Sequence, residues 1–144
     1  QPDLAIDSGG AVAIADSGVV TVLEASGSMR WTTATAPFTT VAATFVANGD
    51  VVIGGWAKSH DYGGGLLPSG YAVVQLAGAT GAHVRSDMLS ANLCSDCLRS
   101  PVKTDAAGDL VIGGSFAKTC DIGLGVHHTA CGSSYDGLLA KLGL

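Results

Sequence analysis

The chain carries the same short segment twice, and this repeat restricts its fold more than any other feature of the sequence. Residues 48–55 read NGDVVIGG, and residues 107–114 read AGDLVIGG. Two further pairs of similar segments follow in the same order, at residues 57–63 and 117–123 and at residues 72–76 and 138–142. Self-similar segments in a constant order indicate a chain built from copies of one supersecondary unit that pack side by side.

A weaker copy of the unit stands at the start of the chain. Residues 8–15 resemble the first repeated segment, and residues 19–23 resemble the third. Only residues 16–18 separate them, which is the length of a β-hairpin turn. We therefore predict three units within a single repeat domain or fragment, at about residues 1–35, 39–87 and 101–144.

The composition indicates that these units are made of β-strands. The chain has 21 glycines and a single glutamate, Glu24, against eleven aspartates. Glutamate is favoured inside helices, whereas aspartate binds backbone donors in turns. We predict that each unit forms a four-stranded antiparallel meander and that the third unit lacks its outer strand.

Two of the strands are predicted to be buried on both faces. Residues 51–53 and 110–112 are continuous apolar runs, without alternation of apolar and polar side chains. A strand that is covered on both sides has this pattern. In an antiparallel meander, both faces of a strand are covered when the meanders stack radially as the blades of a β-propeller. A β-sandwich or a β-solenoid is the alternative architecture.

The repeated segments resemble those of a known family. In the third unit, GDLVIGG at residues 108–114 precedes DIG at 121–123 and DGLLAKL at 136–142. This order is similar to the β-propeller repeats of secreted and surface proteins from myxobacteria and related bacteria. The second unit follows the same pattern, with Gln75 where those repeats have lysine. The resemblance implies all-β blades of propeller type in an exported binding or scaffold module, without shared catalytic residues.

Three units are fewer than the roughly four to eight blades that close a propeller. We therefore expect a fragment of a larger ring, several chains that complete one another, or an arc capped by another element. The predicted partners are other protein chains or copies of this chain.

Four cysteines are expected to gather at one end of the units: Cys94, Cys97, Cys120 and Cys131. An even number in long loops, with the exported character of the similar repeats, favours two disulfides formed in an oxidising compartment. The spacing leaves their pairing open. A zinc site is an alternative, because two residues separate Cys94 from Cys97, and a redox-active pair is another.

Five side chains of the long loops are candidate metal ligands: His60, Asp61, Asp121, His127 and His128. Imidazole suits transition metals, whereas a carboxylate beside loop carbonyls suits calcium. Turn formation explains the aspartates without a metal, and solvation explains the adjacent histidines. The sequence therefore predicts no required cofactor, with calcium as the alternative.

The charge and the absence of known motifs argue against several classes of function. The net charge is −5 and the seven Lys and Arg residues are scattered, so no basic face is available for nucleic acid. No apolar run approaches the ~20 residues of a membrane-spanning helix. Neither a G-x-S-x-G elbow nor an ordered triad occurs, and no catalytic residue is predicted.

We predict a non-enzymatic binding or scaffold module that is extracellular, attached to the cell surface or periplasmic. A hydrolase or lyase with its site at the mouth of the propeller channel is the alternative function.

Overall fold

The structure, a computed structural model, describes residues 2–90, 102–117, 119–121, 126–128 and 135–143. These residues form fifteen β-strands and no helix. They make three larger antiparallel sheets and two short hairpins. The prediction of an all-β chain with four-stranded antiparallel sheets is confirmed.

The first sheet is a four-stranded meander. Its strands are β1 (Asp3–Ile6), β2 (Val12–Asp16), β3 (Val19–Leu23) and β4 (Met29–Ala34), paired in sequence order. Small and large apolar residues alternate along β1 and β2. Because successive side chains of a strand point to opposite faces, Ala5, Ala13 and Ala15 share one face and larger residues occupy the other.

The second sheet is a meander with a hairpin inserted between its central strands. In chain order it contains β5 (Thr39–Phe45), β6 (Val51–Ala57), the hairpin of β7 (His60–Asp61) and β8 (Leu66–Leu67), β9 (Gly70–Leu76) and β10 (His83–Ser90). The order across the sheet is β5, β6, β9, β10.

The third sheet repeats this plan with three strands in the part of the chain that is described. In chain order it contains β11 (Val102–Thr104), β12 (Leu110–Ala117), the hairpin of β13 (Thr119–Asp121) and β14 (Val126–His128), and β15 (Tyr135–Leu142). The order across the sheet is β11, β12, β15.

The three sheets meet at their first strands. Strand β5 contacts both β1 and β11. Asp3 Oδ2 accepts a hydrogen bond from the backbone N–H of Ala43 at 2.7 Å, which ties the first sheet to the second. Thr104 Oγ1 donates to the carbonyl oxygen of Phe45 at 3.1 Å, which ties the third sheet to the second. The first strands are therefore innermost, as they are in propeller blades.

The second sheet is buried between the other two. Val51 and Ile53 belong to a core cluster shared with the first sheet, while Val52 belongs to a cluster shared with the third. All three side chains are fully buried. The prediction that residues 51–53 are covered on both faces is confirmed.

In the third sheet, the described residues bury one face of the corresponding apolar run. Leu110 and Ile112 are buried against the second sheet, but Val111 is only half-buried. Val111 points to the opposite face of β12, and in the described residues no sheet covers that face. Two-sided burial of residues 110–112 therefore stays a prediction, because the described residues cover only one face of β12.

A glycine turn precedes the second strand of every sheet. Gly10, Gly49 and Gly108 have φ angles of 85°, 84° and 87°. Only glycine adopts this left-handed region without a steric cost. In each turn the glycine N–H donates to the carbonyl oxygen three residues earlier. These turns define equivalent positions in the three sheets.

The turns show that the structural alignment of the first unit with the second is shifted by one residue from the alignment of their sequences. Comparing residues 8–15 with 48–55 pairs Gly9 with Gly49, whereas the structural counterpart of Gly49 is Gly10. Val12 is then the counterpart of Val51. Two adjacent glycines made both alignments acceptable in the sequence, and the φ angle distinguishes them.

The outer strand of the first sheet is tied to a turn of the second. Trp31 Nε1 donates to the carbonyl oxygen of Gly78 at 2.8 Å, and Thr33 Oγ1 donates to that of Gly81 at 2.9 Å. Gly81 has a φ of 72°, and a Cβ there would overlap Thr33 and Trp31. The two sheets are therefore fixed at their outer edges as well as along their inner strands.

Gly54 allows the second and third sheets to approach closely. A Cβ at this position would overlap Cγ2 of Val102 on the neighbouring sheet. A Cβ at Gly55 would overlap the carbonyl oxygen of Thr39 on the adjacent strand. The double glycine of the repeated segment is thus required for packing between strands and between sheets.

We expect Gly54→Ala to lower the free energy of unfolding by about 1–3 kcal/mol, because the added methyl group overpacks the contact with Val102. Urea denaturation followed by circular dichroism measures this change. Val102→Ala in the same chain makes room for the methyl group, so the double variant should lose less than the sum of the two single losses. Strictly additive losses would show that Gly54 does not serve this contact.

Candidate functional site

Three aspartates form the same turn. One carboxylate oxygen accepts two backbone N–H groups, from the residues two and four positions later. The donors are Gly9 and Ala11 for Asp7, Gly63 and Gly65 for Asp61, and Ala107 and Asp109 for Asp105, at 2.7–3.1 Å. These carboxylates therefore build the loops in which they lie.

An ion-pair cluster closes the third sheet beside its glycine turn. Lys141 Nζ lies 2.6 Å from Asp105 Oδ2 and 2.8 Å from Asp109 Oδ2. The hydrogen bond that Lys141 donates to Asp105, followed by the one with Asp109, raises the pKa of the Lys141 ammonium above its usual value. The hydrogen bond from Lys141 is the main cause of the lowered pKa of Asp105.

The second sheet has a neutral version of this cluster. Gln75 stands at the position of Lys141, and its Nε2 donates to Asp50 Oδ2 at 2.8 Å. Asp50 also accepts the backbone N–H of Gly78 at 2.8 Å. The lysine–aspartate pattern of the repeats therefore joins the last residues of a strand to the neighbouring turn, and it is a structural feature in both sheets.

The inserted hairpin of the second sheet holds two of the predicted metal ligands. His60 and Asp61 are exposed on β7. The N–H of Gly63 and then that of Gly65 lower the pKa of Asp61. The ring of Tyr62 packs edge-on against His60, at 5.0 Å between centroids, and against Phe38, at 5.6 Å. Burial raises the pKa of the Tyr62 hydroxyl.

The equivalent hairpin of the third sheet holds the other three predicted metal ligands. Asp121 lies on β13, and His127 and His128 lie on β14. The backbone register places Cys120 opposite His127. Within the described residues, no group of three or more His, Cys, Asp and Glu side chains is placed to hold a metal ion. Calcium at these loops stays a prediction.

The predicted disulfides fall largely outside the described residues. Cys94, Cys97 and Cys131 are not described, and the backbone of Cys120 is described as part of β13. The two disulfides and the zinc alternative remain predictions.

The three glycine turns come together at one end of the inner strands. They surround a cavity of about 380 Å³ whose lining includes Asp7 and Asp105. Both carboxylates accept turn N–H groups, and Asp105 is also paired with Lys141. The cavity is therefore bordered by groups that already serve the turns.

The largest unexplained feature is the outer face of the first sheet. Six of its residues, five of them apolar, form what we call the first-sheet face: Leu4, Ile6 and the half-buried Val12, Ile14, Thr21 and Leu23. Leu4 is 57% exposed and Ile6 is 71% exposed. Soluble proteins rarely expose contiguous apolar surface of this kind without a binding role.

The same six positions are covered in the sheets that follow. In the second sheet they are Ala43, Phe45, Val51, Ile53, Val74 and Leu76, all of them buried against the first sheet. In the third sheet they are Val102, Thr104, Leu110, Ile112, Ala140 and Leu142, which are buried or half-buried. The first-sheet face therefore has the character of a surface that packs against another sheet.

Sequence reasoning located these strands but did not identify their open face. The useful signal is the alternation of large and small apolar residues in Leu4-Ala5-Ile6 and in residues 12–15, which read VAIA. Such alternation indicates two apolar faces, and the described residues cover only one of them.

Comparison with known proteins supports the fold. No family model matches the chain, and no curated protein matches it. A crystal structure of a protein of unknown function from Bacteroides caccae is similar, with a TM-score of 0.58 and 11% identity, over 98% of this chain and 45% of that one. BamB from Moraxella catarrhalis is similar over 90% of this chain and 34% of its own, with a TM-score of 0.54 and 19% identity.

The chain thus spans less than half the length of these two proteins. BamB is of the β-propeller type, and the likeness shows that the antiparallel sheets of this chain stack in a similar way. The described sheets do not close a ring. No helix in the described residues is long and apolar enough to cross a membrane. The resemblance to myxobacterial repeats stays a prediction.

The contribution of Asp105 to stability is expected to depend on pH. The pKa of Asp105 is lower in the folded chain than the usual aspartate value of about 4. Its stabilising effect is therefore fully present above about pH 4 and is lost as the pH falls through the folded pKa. Urea midpoints of the wild type and Asp105→Asn should therefore differ at pH 7 and converge near pH 2. The same comparison is made in chains that also carry Lys141→Gln, which introduces the glutamine found at this position in the second sheet. There, the difference in urea midpoint between chains with and without Asp105→Asn should vary less with pH. Equal pH dependence in both backgrounds would contradict the role of Lys141.

Substitutions in β1 should separate the open face from the core. Ile6→Asp should change the free energy of unfolding by less than about 1 kcal/mol, because the side chain is exposed. Ala5→Asp, its neighbour on the buried face, should cost more than about 3 kcal/mol, because an unpaired charge enters the core. Urea denaturation at submicromolar chain concentration measures both without a contribution from association. Similar losses would mean that the first-sheet face is not open.

Proposed function

We propose that this chain is a non-enzymatic binding or scaffold module of an exported protein, and that it docks another protein through the first-sheet face. The observation that carries the proposal is the exposure of Leu4 and Ile6 at positions where the other two sheets are buried. Covering such a face removes apolar surface from water, at roughly 25 cal/mol for each Å². A protein with an extended apolar surface is therefore the favoured class of partner.

The shape of the face supports a partner that presents a β-sheet. Its counterparts in the second and third sheets pack against the apolar face of the preceding sheet, which in the first sheet includes Ala13 and Ala15. A sheet with a similar face would fit it in the same way. We thus describe residues 1–144 as an arc of propeller-type blades that acts as one unit and binds its partner through the first-sheet face.

The electrostatics favour binding over hydrolysis. A hydrolase of the two-carboxylate type needs one acid with a raised pKa beside one that stays ionised. The described carboxyl groups with shifted pKa values are Glu24, Asp61 and Asp105, and all three are lowered. The causes are Arg30, the Gly63 N–H and Lys141 respectively, all of them structural partners.

We place the module outside the cell, on the cell surface or in the periplasm, with disulfides among Cys94, Cys97, Cys120 and Cys131. An oxidising compartment is the setting in which an even number of loop cysteines forms disulfides. The intact mass before and after alkylation, with and without reductant, gives the number of disulfides.

Site-specific photo-crosslinking tests the docking role. A photoreactive amino acid is placed at position 6, on the first-sheet face, and at position 84 as the control. Val84 is also an exposed apolar residue, but it lies on β10 in the outer edge of the second sheet. In cells that express the chain, position 6 should give an adduct of discrete mass and position 84 should not.

Adducts from neither position, or equal adducts from both, would count against the docking role. The mass of the adduct from position 6 also shows whether the bound protein is a second copy or a different chain.

A further inference from the structure

Of the three glycine turns, only that of the second sheet carries a side-chain amide before its glycine. There Asn48 precedes Gly49. The equivalent positions of the first and third sheets hold Gly9 and Ala107. Asn48 is exposed, and a Cβ added to Gly49 would have no atom within 4 Å. The amide of Asn48 is therefore open to attack by the backbone nitrogen of the residue that follows it.

We propose that Asn48 is a site of covalent modification, where its side-chain amide is converted to a carboxylate by water, and that the new charge disrupts the hydrogen-bonded cluster of Asp50 and Gln75. This inference is independent of the docking role, because Asn48 lies outside the first-sheet face.

The reaction proceeds through a five-membered ring. The backbone nitrogen of Gly49 loses its proton to hydroxide and attacks Cγ of Asn48, while water protonates Nδ2, which leaves as ammonia. Water then opens the resulting succinimide. Addition at Cγ breaks the new bond to nitrogen and gives aspartate, whereas addition at the backbone carbonyl carbon gives isoaspartate. Both routes consume one water molecule and release one molecule of ammonia.

Two contacts of the Asn48 side chain favour this reaction. Its Oδ1 accepts the backbone N–H of Asp50 at 3.0 Å, and its Nδ2 donates to Asp50 Oδ2 at 2.9 Å. The first bond closes a ring that contains the backbone nitrogen of Gly49, so the amide is folded back towards its nucleophile. The Asp50 N–H also stabilises the negative charge that develops on Oδ1 during attack.

A third contact slows the reaction in the folded chain. The Gly49 N–H donates to the carbonyl oxygen of Val46 at 2.9 Å, and the nitrogen must leave this bond before it attacks. Exposed turns open locally far more often than the core does. The reaction at Asn48 therefore proceeds through brief opening of the turn, more slowly than in the unfolded chain.

The cluster beside this turn is arranged for an amide at position 48. Asp50 Oδ2 accepts both Asn48 Nδ2, at 2.9 Å, and Gln75 Nε2, at 2.8 Å. Conversion of the amide replaces a donor to this oxygen with a second carboxylate. Because adjacent like charges repel, the hydrogen bond between residues 48 and 50 is lost and the turn is destabilised.

The third sheet shows what two carboxylates beside such a turn require. Asp105 and Asp109 both pair with Lys141, at 2.6 and 2.8 Å. Gln75 holds the position of Lys141 in the second sheet and carries no charge. A glutamine at this position therefore suits the amide form of residue 48, and a lysine would suit the carboxylate form.

Peptide mapping of the full 144-residue chain tests the site. The folded chain is incubated at mildly alkaline pH, reduced, digested with trypsin and analysed by mass spectrometry. Asn48 falls in the peptide of residues 31–58, and Asn92, the other asparagine of the chain, in that of residues 86–99. The first peptide should gain the mass difference between NH₂ and OH and separate into aspartate and isoaspartate forms. The second should stay unchanged, because the side chain of Leu93 obstructs attack by its nitrogen.

Three comparisons control this measurement. A sample without incubation gives the amount of product that forms during digestion. Gly49→Ala should lower the rate at Asn48, because the added methyl group obstructs the nitrogen. In urea the wild type should react faster, because the bond to Val46 is broken. If Asn48 is converted in urea and not in the folded chain, the turn protects the amide and the proposal is overturned. Conversion of Asn92 at an equal rate also overturns it.

Urea denaturation tests the effect on the cluster. Asn48→Asp reproduces the aspartate product and should lower the urea midpoint at neutral pH. Gln75→Lys in the same chain should recover much of the loss, because the lysine neutralises both carboxylates. Asn48→Ala is the control, because it removes the same hydrogen bonds without adding charge, and there Gln75→Lys should recover less. Equal recovery in both chains, or an unchanged midpoint for Asn48→Asp, would overturn the effect on the cluster.

Discussion

The structure depends on the packing of small residues against large ones between successive sheets. Ala13 and Ala15 of the first sheet share a core with the larger residues of the second, and Gly54 of the second lies beneath Val102 of the third. A single added methyl group at Gly54 would overlap Val102 and overpack this contact. This limit explains why the repeated segment ends in two glycines, and why the inner strands approach closely enough to exchange hydrogen bonds.

The turns provide the second level of order. Asp7 and Asp105 bind backbone N–H groups in the turns of the first and third sheets, and Asp61 does the same in an inserted hairpin. Because these carboxylates are occupied, the surplus of aspartate over glutamate reflects loop construction. The cluster beside the turn tolerates change more readily, since a glutamine serves the second sheet and a lysine the third.

Much of the fold could be predicted from the sequence, because the repeat defines both the number of units and the kind of strand. The two-sided burial of residues 51–53 followed from their apolar run. For Val111 the same prediction is not tested, since burial depends on a neighbouring sheet that the run itself does not encode. For the same reason the open first-sheet face was missed, as an exposed Ile6 and a buried Ile53 look alike in sequence. His60 and Asp61 lie on strand β7 of the inserted hairpin, and their partners required coordinates.

The unlike faces of each sheet also bear on how such a chain can change during evolution. A duplicated unit brings both its small-residue face and its large-residue face. Wherever it is inserted, it presents the correct surface to the unit before it and to the unit after it. The number of units can therefore grow or shrink by whole repeats, with changes confined to the side chains that meet at the new junctions.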